Sequence, residues 1–324
     1  MTAGGGMSEA TPSGPASAAE QQAAISARPA RALREKLVDL WRARELLRQF
    51  VSKELKVRYK NSALGFLWSL VTPVLMTVVF TVIFSTVIRI DVGGDFAAFF
   101  LAGFLVWQFF QNSVQGSISA VVGNGPLIKK VYFPREILPL SIVLSQLVHL
   151  LLAFLAVSPY LIWSRGWGIV VHLPALLFGV VVVSIFTSGV AMLLAGANVT
   201  FRDLQELIVV IMMVWFYATP IIYPFAMVAG IDSTVGRVAA VVLSYNPMTW
   251  FTRLFRESIY GTVVANPAAV ESCVGTDCPP ALLSTAPSFP SWELLVGTGA
   301  AAVVTFVIGY LMFHRFALTF AKEI

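Results

Sequence analysis

Along this chain long apolar runs are separated by short clusters of charge, Gly and Pro. The first junction sets the pattern. A basic, amphipathic run from Arg42 to Lys60 leads within a few residues into an uncharged apolar stretch at 64–88. A hydrocarbon core about 30 Å thick is crossed by roughly 20 apolar helical residues. Six stretches meet that length, at 64–88, 96–122, 137–163, 173–197, 207–228 and 294–313, and none carries Asp, Glu, Lys or Arg in its middle. In lipid a backbone must satisfy its own hydrogen bonds, so each is predicted to be α-helical.

Before the first span, Leu33, Leu37, Leu40, Trp41, Leu47, Phe50, Val51 and Leu55 recur near helical spacing, with Arg34, Arg42, Arg48, Lys53, Lys56 and Lys60 on the rest of the surface. This predicts a helix lying in the headgroup region. It serves either as a topological anchor or as a cationic collar at the start of a transport path. After the fifth span the apolar pattern breaks. Residues 235–243 and 248–260 are too short to cross and flank Tyr245-Asn246-Pro247, which predicts re-entrant or surface helices within an outer segment at 224–293. Residues 265–291 are rich in Pro, Ser and Ala and read as a loop.

Composition agrees with an integral membrane protein: 57% hydrophobic and 12% charged, against about a quarter charged in soluble domains. The expected organisation is a disordered cytosolic tail over 1–30, with no apolar core of a cleaved signal, an interface helix over 31–63, and a permease domain over 64–324. The net charge of +5 belongs to membrane topology rather than to a nucleic-acid surface. Lys129, Lys130, Arg135, Arg202, Arg315 and Lys322 fall on one side with the N-terminal segment. The positive-inside rule makes that side cytosolic and puts both termini there.

The chemistry is mostly one of absence. Gly123-Asn124-Gly125 followed by Lys129 lacks phosphate-loop spacing. No metal set is apparent, and no catalytic constellation. His149, with Gln146 one turn before it, fits either a hydrogen bond to a neighbouring helix or a proton site. Cys273 and Cys278 enclose a turn-prone Val274-Gly275-Thr276-Asp277. An oxidising exterior favours a disulfide there; two inert thiols is the other reading. Asp91 and Asp95 are near neighbours without the partner set a membrane glycosyl- or phosphotransferase needs. Any uphill transport would draw its energy from another subunit.

Several stretches together resemble polysaccharide-export permeases of the type-2 ABC exporter class. They are Val57-Arg58-Tyr59-Lys60-Asn61-Ser62-Ala63-Leu64-Gly65-Phe66-Leu67-Trp68 with Pro73 behind it, Lys130-Val131-Tyr132-Phe133-Pro134-Arg135-Glu136-Ile137-Leu138-Pro139, Asn198-Val199-Thr200-Phe201-Arg202-Asp203-Leu204-Gln205, Thr219-Pro220-Ile221-Ile222-Tyr223-Pro224 and Asn246-Pro247-Met248-Thr249. They run in order from about residue 40 onward, and 265–291 looks longer than the corresponding family connection. The resemblance implies an all-α membrane protein of six helices with an N-terminal interface helix and re-entrant outer helices. It implies a homodimer in the bacterial cytoplasmic membrane with two ABC ATPase subunits that bind ATP and Mg²⁺. No cofactor would sit in this chain. The cargo would be a lipid-linked glycan such as O-antigen, teichoic acid or mycobacterial galactan.

The resemblance also implies roles. Lys129, Lys130, Tyr132, Phe133, Arg135 and Glu136 would dock the ATPase, with Arg202 and Asp203 beside them. Arg58, Tyr59 and Lys60 would meet a polyprenyl diphosphate head, or else serve only as positive-inside anchors. Phe80, Phe84, Trp107, Phe109, Phe110, Trp215, Phe216, Tyr217 and Tyr223 are candidates for a conduit wall, since aromatic faces hold sugar C–H faces without fixing one register. For any single one of them a lipid-facing place or an interfacial aromatic belt is the commoner reading, and the expectation is that a subset lines the conduit. Export of a drug or a plain lipid by the same class is the alternative.

Overall fold

The computed structural model describes residues 43–60, 68–131, 133–231, 233–266 and 282–317. The tail at 1–30, the first part of the interface helix, Tyr132 and the pair Cys273 and Cys278 lie outside the described residues. Within Glu45–Ile324, which forms a compact unit, nearly all regular structure is helical. Besides short helical segments at Ala120–Gly123, Gly125–Lys130 and Trp167–His172, it comprises α1 (Arg44–Tyr59), α2 (Trp68–Phe80, continued as a π-helical turn over Thr81–Val87), α3 (Phe96–Ile118), α4 (Ile137–Arg165), α5 (Leu173–Thr200), α6 (Leu204–Tyr217), α7 (Phe225–Ala229), α8 (Thr234–Tyr245), α9 (Pro247–Ile259) and α10 (Trp292–Ala317). A two-stranded antiparallel sheet pairs β1 (Val263–Ala265) with β2 (Leu282–Ser284), Val264 opposite Leu283.

Among the described residues, five helices are long and apolar enough to cross a bilayer: Leu70–Val87, Phe96–Ile118, Ile137–Arg165, Trp167–Thr200 and Trp292–Ala317. The chain is a multi-pass membrane protein. The stretch expected as a single span at 207–228 differs. Helix α6 holds 14 residues, about 21 Å at 1.5 Å per residue, and the chain then leaves helical geometry before α7. The physical cause is local, because Pro220 and Pro224 cannot donate to the helical ladder.

Helix α3 is the centre of the bundle, with 78% of its apolar window buried, whereas α2 is the least packed at 11%. Helices α5 and α10 meet backbone to backbone. A Cβ on Gly309 would lie 2.0 Å from the Gly189 carbonyl oxygen, and one on Gly189 would lie 2.5 Å from the oxygen of Thr305. Without a hydrophobic force between helices in lipid, such close approach is how dispersion contact holds them together.

The bundle has two polar ends. At the basic end, Arg135 Nη1 donates to the Ala317 carbonyl at 2.9 Å and His314 Nε2 lies 2.8 Å from the buried Glu136 carboxylate. Asn198 Nδ2 donates to the Ile118 carbonyl at 3.0 Å. At the far end the β-hairpin packs over the start of α3. Gly309→Val should force α5 and α10 apart and cost about 3 kcal/mol, the upper range for overpacking. The check is thermal unfolding of the detergent-solubilised chain, where an unchanged midpoint contradicts the contact.

Candidate functional site

The break after α6 is held by two residues distant in sequence. Leaving the helix strands the carbonyls of Ala218, Pro220 and Ile221 in an apolar setting, where an unpaired polar group costs about 1–3 kcal/mol. Asn246 Nδ2 donates to the Ala218 oxygen at 2.8 Å and to Thr219 Oγ1 at 3.0 Å. Arg256 donates to the Pro220 and Ile221 oxygens at 2.8 and 3.1 Å. The Asn246 side-chain oxygen caps α9 by accepting from Met248 N and also accepts from Trp215 Nε1 at 2.9 Å. The Arg256 guanidinium is buried and lies 3.8 Å from the Phe99 ring centroid. Gly103, one turn along α3, makes the room: a Cβ there would be 2.9 Å from Arg256 Nη2.

A second network closes the far end. Asp95 caps α3 through Ala97 N at 3.0 Å and accepts from Tyr160 Oη at 2.6 Å and from Ser164 Oγ. Burial pushes its carboxyl up. The hydrogen bonds from Ser164, Tyr160 and the Ala97 and Ala98 amides outweigh that and hold it below the usual carboxylate range. Asp91 accepts from Gly93 N at 2.8 Å and from Leu282 N at 3.0 Å. Arg165 lies over the Tyr260 ring and donates to the carbonyls of Tyr260 and Thr285. Asp91 therefore ties β2 of the hairpin to the stretch before α3, and Asp95 ties the start of α3 to α4.

The expected wall aromatics divide. Phe84, Phe80, Phe100 and Phe104 stack in sequence, with centroids 5.5, 5.0 and 4.8 Å apart. Phe216 meets this ladder edge-on at Phe80 and Phe104, with Tyr217 beside it. Phe100 and Phe104 were missed in the sequence reading; their i, i+4 spacing on α3 is the signal. Trp107 and Phe110 are enclosed in the core and pack on Trp215 at 6.3 and 5.1 Å. This corrects their place as wall residues, because the central helix turns that face toward α5 and α6. Tyr223 Oη donates to the Tyr217 carbonyl at 2.9 Å.

The basic residues divide too. Lys129, Lys130 and Arg202 line one groove of about 390 Å³ at the basic end, with Asp203 exposed beside it. Phe133 instead stacks on Phe50 of α1 at 6.1 Å. Arg135 and Glu136 hold the end of α10. Phe133 and Glu136 are buried against the chain's own helices, and Arg135 is half-buried. Arg58 lines a cavity of about 280 Å³ that also contains Phe109, Gln146 and His149. Lys60 is exposed and does not line that cavity.

A family model described as ABC-2 type transporter matches residues 45–260. The chain is similar to the O-antigen export system permease protein RfbA of Myxococcus xanthus, 34% identical over 224 residues, covering 68% of this chain and 83% of that protein. It is also similar to the O-antigen export system permease protein RfbA of Klebsiella pneumoniae, 34% identical over 222 residues, covering 66% and 79%.

Two outcomes follow from the far-end geometry. Arg256→Met should destabilise the chain by about 1–3 kcal/mol for each of the two carbonyls it strands, read as loss of monodisperse protein after solubilisation; Arg256→Met with wild-type stability refutes the clamp. The depressed Asp95 carboxyl contributes stability that is present above about pH 4 and lost as pH falls through its lower folded value. Asp95→Asn should flatten the acid limb of the melting curve, and an acid limb identical to wild type contradicts the network.

Proposed function

The chain belongs to the ABC-2 type transporter family, and we propose that it is the membrane-spanning subunit of an ATP-driven exporter of lipid-linked polysaccharide. The observation that carries this reading is the sequence shared with O-antigen export permeases over most of their length. The chain is a transporter membrane subunit, and the ATPase is a separate polypeptide that binds ATP and Mg²⁺. Two such ATPases would serve a homodimer of this chain, in the bacterial cytoplasmic membrane with both termini inside.

In this reading the basic end faces the cytosol. The groove lined by Lys129, Lys130 and Arg202 would receive the ATPase. Force would pass inward through Glu136 and Arg135, which grip α10, and through Phe133, which grips α1. The half-buried rings of Phe80, Phe84 and Phe216, backed by the buried Phe100 and Phe104, would offer aromatic faces to a sliding sugar chain. The broken segment after α6 and the helices α7 to α9 would form the re-entrant outer part. The Asp91 and Asp95 contacts favour this over a membrane glycosyl- or phosphotransferase, since both groups are engaged structurally.

Depletion of the protein should remove surface glycan and leave lipid-linked glycan accumulating inside. Normal surface glycan after depletion overturns the reading. Lys129→Glu with Lys130→Glu should reduce co-purification of the neighbouring ATPase by about ten-fold, equivalent to roughly 1.4 kcal/mol. Equal recovery contradicts docking at that groove.

A further inference from the structure

We propose that the cavity between α7, α9 and β1, at the far end of the bundle, is a saccharide subsite that takes a neutral, hydroxyl-rich sugar unit of the exported glycan. The proposal rests on the export reading above, in which the far end faces outward. The cavity is about 330 Å³, at the small end of ligand pockets, which run from about 300 to 1,000 Å³. That is room for a short piece of glycan rather than a length of chain. Thr249, Arg256 and Glu257 of α9 line it as buried residues, Trp250 is half-buried, and Phe225 of α7 and Arg253 of α9 are exposed. Among the described residues, no ring of the ladder formed by Phe80, Phe84, Phe100, Phe104 and Phe216 lines this cavity.

Two of its buried polar atoms, Thr249 Oγ1 and Arg256 Nε, have no hydrogen-bond partner among the described residues. Thr249 is 5% exposed and Arg256 8%. The Pro220 and Ile221 carbonyls occupy Arg256 Nη1 and Nη2, so the clamp accounts for those nitrogens and leaves Nε. A buried polar atom left unpaired costs about 1–3 kcal/mol, which an acceptor arriving from outside the chain removes. Glu257 sets the class of that molecule. Its buried carboxylate lines the same cavity and accepts from Arg253 Nε at 2.6 Å. A carboxylate only accepts and a guanidinium only donates. An occupant that satisfies all three groups accepts from Arg256 Nε, exchanges a hydrogen bond with Thr249 and donates to Glu257. Phosphate supplies acceptors alone and brings negative charge against Glu257. A hydrocarbon chain supplies neither donors nor acceptors. Vicinal hydroxyls on a rigid ring supply both. Trp250 Nε1 donates to the Ser244 carbonyl at 2.6 Å, which orients the indole, and Trp250 and Phe225 add aromatic surface for the C–H side of a sugar. A hold of this kind outside would keep an emerging segment from sliding back between ATP-driven steps.

The test uses the full-length chain in lipid nanodiscs, where no sugar detergent competes. Saturation-transfer NMR is run with the methyl pyranosides of galactose, mannose, glucose and rhamnose as probes. At least one should receive saturation from the wild-type protein. Glu257→Gln and Thr249→Val should each weaken its binding about five-fold, the scale of one hydrogen bond. Arg237→Gln, an exposed cation of α8 outside the cavity, should leave binding unchanged. Melting midpoints close to wild type show that the variants fold, and Thr249→Val, which keeps the side-chain shape, reads the site by itself where Glu257→Gln unfolds. Saturation of none of the four sugars overturns the proposal, as do undiminished binding in a folded variant, displacement of the sugar by inorganic phosphate, or tighter binding of methyl glucuronide. If both variants bind sugar normally while depletion still abolishes surface glycan, the subsite falls and the export reading stands. If both variants lose sugar binding while depletion leaves surface glycan normal, the export reading falls and a saccharide site on α9 is supported.

Discussion

A backbone polar group in an apolar surround must find a partner, and the contact that most directly answers this constraint is Arg256 on the carbonyls of Pro220 and Ile221. The chain stops being helical at Ala218 with a short α6 behind it. That break is tolerable because a guanidinium supplies the donors that two prolines remove, while Asn246 takes the remaining carbonyl. The clamp also dictates its neighbours. Phe99 must offer a ring face, Gly103 must lack a side chain, and α9 must run back across α3 to deliver the arginine. The whole far end is arranged around one non-helical turn.

The same constraint shapes the division of labour in the proposed transporter. Spans with no charge in their middle cannot store or relay energy through titration, but they slide past sugar and lipid without trapping them. Among the described residues, the Asp, Glu, Lys and Arg side chains lie outside the middles of the spans. At the basic end they knit α1, the loop after α3 and the end of α10 into one connected piece. A push applied at Lys129 and Lys130 thus reaches three elements through packed contacts rather than through a flexible loop.

Much of the bundle was legible in the sequence because apolar length and flanking charge depend on local composition. The spans at 96–122, 137–163, 173–197 and 294–313 correspond closely to α3, α4, α5 and α10. The stretch at 207–228 was apolar throughout, so hydropathy read it as one span; the proline positions that shorten it carry little weight in an average. The site was less legible. Thr219-Pro220 and Asn246-Pro247 were visible as separate stretches, but nothing local says that they bond to each other across 27 residues. Arg256 read as one more loop cation because its seat, Phe99 and Gly103, lies about 150 positions away. Trp107 and Phe110 looked like wall residues because hydropathy does not tell which face of a central helix its neighbours cover.

The most direct measurement is transport in sealed vesicles containing the purified chain and a radiolabelled lipid-linked polysaccharide. Vesicles with this chain alone should leave the label where it started, with or without ATP. Adding the ATPase subunit should move it across in an ATP-dependent way. Unaided pumping by the single polypeptide, or no movement when both subunits and ATP are present, contradicts the account.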